Sequence, residues 1–321
     1  MVPLRQCSVF FLICTLALAI SACGVSQRQS IPDDQSALTP SLTASAQAPT
    51  ATATSIPPTE TATARLTLAP TATPFATETA TPRPSRVPSA GHSENPAAQA
   101  YYDLGMEAGY AGDFHTATEH FSLAIAEDPE FVMAYINRGE ANVMIGRNGR
   151  AMADYDKAIE LDPGEADAYF SRGVLNYNMG FYERALDDYA RVIELKPDEV
   201  YAYLNRGDIF FKLGEHELSI VEANKALAID PQAADAYAIR GVAYANLGQD
   251  DLALEDMDKT LDLNPDNPIM YFYRGQTHWH LGNRALAIAD LEYFLQLDPS
   301  PAERESAEQM LDDLRGDQQD A

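Results

Sequence analysis

A chain of 321 residues is long enough for two ordinary domains, but its charge is unevenly divided. It carries 22 Lys/Arg against 48 Asp/Glu, a formal net charge of −26, and only five of each fall in residues 1–98. So acidic a C-terminal region, with no Lys/Arg cluster, excludes nucleic acid and makes direct contact with anionic lipid unfavourable.

The first 22 residues predict an export signal. Arg5 supplies a positive start, Val9 to Ile20 form an apolar core too short to span a bilayer stably, and Ser21 and Ala22 lead into Cys23. The run Ile20-Ser21-Ala22-Cys23-Gly24 resembles a bacterial lipobox, which implies cleavage before Cys23 and a diacylglyceryl thioether on its sulfur. Ordinary secretion with cleavage at the same small residues is the alternative. Cys7 and Cys14 lie in the segment that cleavage removes, so no disulfide or thiolate site is available after Cys23.

Residues 23–95 are dominated by Thr, Ala, Pro and Ser, and Phe75 is the only aromatic residue among them. Such a composition buries too little apolar surface to offset the entropy of ordering, which predicts a disordered, proline-stiffened linker. About 70 residues of this kind span roughly 50 Å when flexible and on the order of 200 Å when extended.

From residue 96 the chain repeats. Pro129, Pro163, Pro197, Pro231, Pro265 and Pro299 are evenly spaced, without insertion or deletion. Tyr101, Tyr135, Tyr169, Tyr203, Tyr237 and Tyr271 keep the same period. So do Gly105, Gly139, Gly173, Gly207, Gly241 and Gly275, and a second glycine column from Gly112 to Gly282. Ala117, Ala151, Ala185, Ser219, Ala253 and Ala287 form a fifth column. Within one period, Tyr169, Gly173 and Asn176 share a face of a first helix. Gly180 ends it, and Ala185, Tyr189, Val192 and Ile193 share a face of a second helix that stops before Pro197. The proline can also start the next unit. Two short helices cannot cover both of their faces, so the units must stack into a right-handed, all-α solenoid of six repeats. Ser300-Pro301-Ala302-Glu303 has the pattern of a capping box. It opens a helix over 301–315 with one apolar stripe, Ala307, Met310, Leu311 and Leu314, as a terminal lid should have. Residues 316–321 make an acidic tail.

These columns resemble the tetratricopeptide repeat over residues 96–299, with the cap to about 315. The resemblance is to the bacterial variety in which Arg precedes the first glycine, as in Arg138-Gly139 and Arg172-Gly173. It implies a superhelix whose concave face, lined by first helices, holds an extended peptide or a partner helix. The candidate groove residues are Tyr102, Asn137, Phe170, Tyr177, Asn178, Asn205, Phe211, Lys212, Asn246, Phe272, Tyr273, Trp279 and His280. Aromatic faces with interspersed amides suit peptide side chains and backbone. The competing reading is that the aromatics seal neighbouring repeats. A two-carboxylate clamp would need Lys, Arg and Asn where this chain offers Asp167, Asp208 and Asp235, with Lys212 nearly alone.

The Arg column is matched on the second helices by Asp154, Asp188, Glu222, Asp256 and Asp290, which suggests a ladder of interhelical ion pairs setting repeat register. The six histidines, His92, His115, His120, His216, His278 and His280, have no metal-ligand spacing; His278 is expected to be packed inside and His280 to face the groove. No phosphate loop, dinucleotide fingerprint or nucleophile elbow occurs, so neither enzyme activity nor a cofactor is expected. The sequence thus predicts a scaffold or adaptor, lipid-anchored on the extracytoplasmic side of a bacterial membrane. It would bind other proteins, basic ones included, through the concave face. The alternative is a lipid-anchored receptor for a peptide, metal or glycan.

Overall fold

The computed structural model describes residues 91–297 and 299–316. The export signal, Cys23, the linker to residue 90 and residues 317–321 lie outside the described residues.

The first three repeats comprise α1 (Pro96–Tyr110) with α2 (Phe114–Glu127), α3 (Val132–Met144) with α4 (Asn148–Leu161), and α5 (Ala166–Asn178) with α6 (Tyr182–Leu195). Three more follow: α7 (Val200–Lys212) with α8 (His216–Ile229), α9 (Ala234–Asn246) with α10 (Asp250–Leu263), and α11 (Pro268–His280) with α12 (Arg284–Gln296). The lid, α13 (Pro301–Gly316), closes the array. Each helix packs on the next, and α1 also touches α3, α3 touches α5, α7 touches α9 and α9 touches α11. Successive first helices therefore lie close together, and the solenoid curves with their faces on its inner side.

The repeat columns have distinct physical jobs. At Gly180 the backbone turns with φ 77°, a conformation open to glycine at little cost, and Phe181 N–H returns to Asn176 O at 2.8 Å to close the first helix. At Gly139 the second helix comes so close that a Cβ would stand 2.6 Å from the Tyr155 ring. The prolines do not start helices, contrary to expectation. Pro163 follows the C-cap Asp162, and the next helix begins only at Ala166. Their carbonyls serve the tyrosine column instead: the hydroxyls of Tyr203, Tyr237 and Tyr271 donate to Pro197 O, Pro231 O and Pro265 O at 3.1–3.3 Å.

The ion-pair ladder is present in all five rungs, from Arg138–Asp154 to Arg274–Asp290. Each of four arginines also reaches back to the second helix of the preceding repeat, at Ser122, Asp156, Asn224 and Asp258. A guanidinium has donors enough for both, so it bolts a repeat to its predecessor. At the far end Ser300 and Glu303 exchange backbone-to-side-chain bonds as a capping box does. Ala307, Leu311 and Leu314 of the lid are buried against Tyr273, Leu291 and Phe294 of the last repeat. Among the described residues no helix is long and apolar enough to cross a membrane.

Candidate binding groove

The inner face divides the candidate residues into three sets. Tyr102, Phe170, Tyr177, Asn205, Phe272 and Tyr273 are buried. Tyr102 packs on Phe121 and Phe131, Phe170 on Tyr189, and Phe272 on Phe294, with centroids 4.9–5.7 Å apart. These rings belong to the seams between helices, so a ligand would meet at most their edges. Asn137, Phe211, Lys212 and Trp279 are half-buried, whereas Asn178, Asn246 and His280 are exposed. Phe211 and Trp279, two repeats apart, both rest on the cluster that holds Phe272 and Tyr273. His278 is partly exposed rather than packed inside, and approaches Asn283 at 3.5 Å.

Two of the asparagine amides are already committed within the protein. Asn137 donates to Tyr102 Oη at 3.1 Å and to Met133 O at 2.8 Å; Asn246 donates to Val242 O at 2.9 Å. Backbone recognition by these two would require exchanging those bonds.

The acids of the inner face are not a uniform wash of charge. Asp167 is held by Lys196 at 2.8 Å and Glu140 accepts from Ser171 at 3.2 Å. Asp208 is buried; the Tyr177 hydroxyl donates to it and Lys212 Nζ stands 3.9 Å away. Burial pushes the Asp208 carboxyl above the usual carboxylate range, against the opposing pull of Lys212 and Tyr177. Lys212 in turn lies 5.7 Å from the Tyr177 ring centre. Sequence reasoning placed these three residues on one face but missed their contact. Tyr177 and Asp208 are 31 residues apart, and only the stacking of adjacent repeats brings them together.

At the N-terminal end the inner face carries a recess of about 400 Å³, lined by Tyr102, Met106 and Tyr110, the acids Asp103 and Glu107, and the incoming residues Gly91 and His92. Residues 91–95, assigned by composition to the linker, are fastened to the repeats. The Ser93 hydroxyl donates to the Asp128 carboxylate, and Asn95 caps α1 and bonds to Glu127 O at 2.8 Å. Among the described residues no group of three or more His, Cys, Asp or Glu could hold a metal ion.

Two family models match, both described as tetratricopeptide repeat, one over residues 102–166 and 170–234 and the other over 241–312. Neither describes a catalytic family. No curated protein matches the chain. Among solved structures it is similar to YrrB, described as a tetratricopeptide-repeat protein with an unusual peptide-binding site. That match has 25% identity and a TM-score of 0.50, covering 60% of this chain and 99% of YrrB. A repeat protein from Parabacteroides merdae ATCC 43184 shares the fold at 19% identity and TM-score 0.59, covering 67% of this chain and 86% of that one. PilW, a type IV pilus biogenesis factor, shares it at 20% identity and TM-score 0.58, covering 66% and 98%.

Proposed function

Because this chain is built of tetratricopeptide repeats, we propose that it is a scaffold or adaptor of the bacterial cell envelope, anchored through a lipid on Cys23, that holds a peptide or helix of another protein along its inner face. The supporting observation is the closeness of first helices along the array, which sets the half-buried aromatic edges of Phe211 and Trp279 on one face together with acids such as Asp103 and Glu107. Desolvated aromatic edges flanked by polar groups are a common form of binding hot spot. The similarity to YrrB, described as carrying a peptide-binding site, favours the same use of the fold. The acidic face favours a partner with Lys or Arg at the contact.

Photo-crosslinking in the native envelope tests the scaffold. A benzophenone at Asn246 or His280 should yield discrete protein adducts that are absent when it replaces Glu255 on a second helix. Equal labelling from both positions, or none, would rule out the groove. Membrane fractionation tests the anchor, since Cys23→Ser should release the chain into the soluble fraction. Unchanged retention would remove the lipid from this reading.

A further inference from the structure

The described chain begins inside its own candidate groove. Gly91 lies so close to the first helix of the second repeat that a Cβ there would collide with Met133 Cγ, and His92 lines the recess of the first repeat. Ser93 N–H donates to Gln99 Oε1 at 3.1 Å and the Ser93 hydroxyl to Asp128, so the entry path is tied on both sides. The described chain thus enters the fold along the inner face, at Gly91 and His92.

The residues immediately before it suit that surface. Thr81-Pro82-Arg83-Pro84-Ser85-Arg86-Val87-Pro88-Ser89-Ala90 carries two arginines and three prolines, and no acid occurs between Glu78 and Glu94. The recess presents Asp103 and Glu107 beside the exposed ring of Tyr110 and the edge of Tyr102, and Glu140 is near enough to Tyr102 to act on its hydroxyl. A proline-rich strand loses little entropy on docking to aromatic rings, and its arginines would meet carboxylates. From Gly91 back to Arg83 is about 25 Å at polyproline pitch. At roughly 10 Å between adjacent first helices, that reaches across two to three repeats.

We propose that residues 81–90 are an internal ligand of the N-terminal inner face, so that a foreign partner must displace them or bind farther along, toward Phe211 and Trp279. This rests on the reading of the inner face as a peptide-binding surface.

A benzophenone replacing Val87 in the full chain tests it. The expected adduct joins position 87 to a peptide holding Met106, Met133 or Met144 of the same chain, at a yield independent of protein concentration. The double variant Arg83→Glu/Arg86→Glu leaves every helix untouched and should lower that yield roughly fivefold, the worth of two partly exposed ion pairs. Adducts formed only between two chains, adducts scattered over second helices, or a yield indifferent to charge reversal would overturn the internal ligand. A groove that labels foreign proteins but never carries the internal adduct would sink this inference and leave the scaffold standing. The internal adduct without any foreign partner would do the reverse.

Discussion

Arg206 and Glu222 stand 3.6 Å apart, the widest rung of a ladder whose other four measure 2.6–2.7 Å. The fourth repeat differs from the others around that rung. Glu222 is one methylene longer than the aspartate used elsewhere, Ser219 replaces alanine, and Ala223 stands where the others carry Phe121, Tyr155, Tyr189, Met257 or Leu291. Arg206 Nε, Ser219 Oγ and Glu222 Oε2 are buried with no protein partner. Poor packing and unsatisfied groups both lower local stability. Hydrogen exchange followed by mass spectrometry should therefore find α7 and α8 opening before α5–α6 and α9–α10. Slower exchange in α7–α8 than in either neighbouring pair would contradict it.

The same deviation changes what a glycine tolerates. A Cβ at Gly139 would press on Tyr155, whereas one at Gly207 finds its nearest neighbours at 3.5 Å, an ordinary contact. Gly139→Ala should destabilise the fold by about 1–3 kcal/mol through overpacking. Gly207→Ala should instead stabilise it by about 0.5–1 kcal/mol, because alanine restricts the unfolded chain at no steric cost. Urea denaturation of the two variants should shift the midpoint in opposite directions.

Arg172 reaches Asp188 at 2.6 Å within its own repeat and Asp156 at 2.7 Å in the preceding one. Removing it strands the buried Asp188 carboxylate, so Arg172→Met should cost about 3 kcal/mol at neutral pH. The loss should shrink as the pH falls below neutrality, because the stranded Asp188, whose carboxyl burial already pushes upward, takes up a proton. A deficit that does not change with pH would show that the arginine acts through packing of its stem alone.

Asp208 gives a pH dependence of fixed sign. Its folded-state pKa is raised by burial, so the native state holds this proton over a window above the ordinary carboxylate value where the unfolded chain has released it. The native state's advantage is then full below the unfolded pKa and is lost as pH rises through the folded one. Asp208→Asn keeps an acceptor for the Tyr177 hydroxyl and removes the charge. It should raise the melting temperature at pH 7 and flatten its rise between pH 7 and 5. Lower stability at pH 7 would mean that Lys212 outweighs burial.

Much of the fold was legible from the period alone. Six evenly spaced prolines, tyrosines and paired glycines dictate helix pairs of constant length, and the matched Arg and Asp/Glu columns specify the ladder. The candidate groove was less legible. Composition placed a stripe of aromatic residues on one helix face, but a helical wheel does not separate a ring that seals the next repeat from one left at the surface. That is why Tyr273 and Phe272 are buried while Trp279 is half-open.

What the sequence determined by itself is everything that recurs within one period, because neighbours along a helix are set by 3.6 residues per turn. Contacts between repeats depend on how much each unit rotates on its predecessor, and that rotation is a property of packed side-chain volumes. Only the tertiary structure could join Tyr177 to Asp208, lend the second tie of Arg172 to Asp156, and lay Gly91 in the hollow of the first repeat.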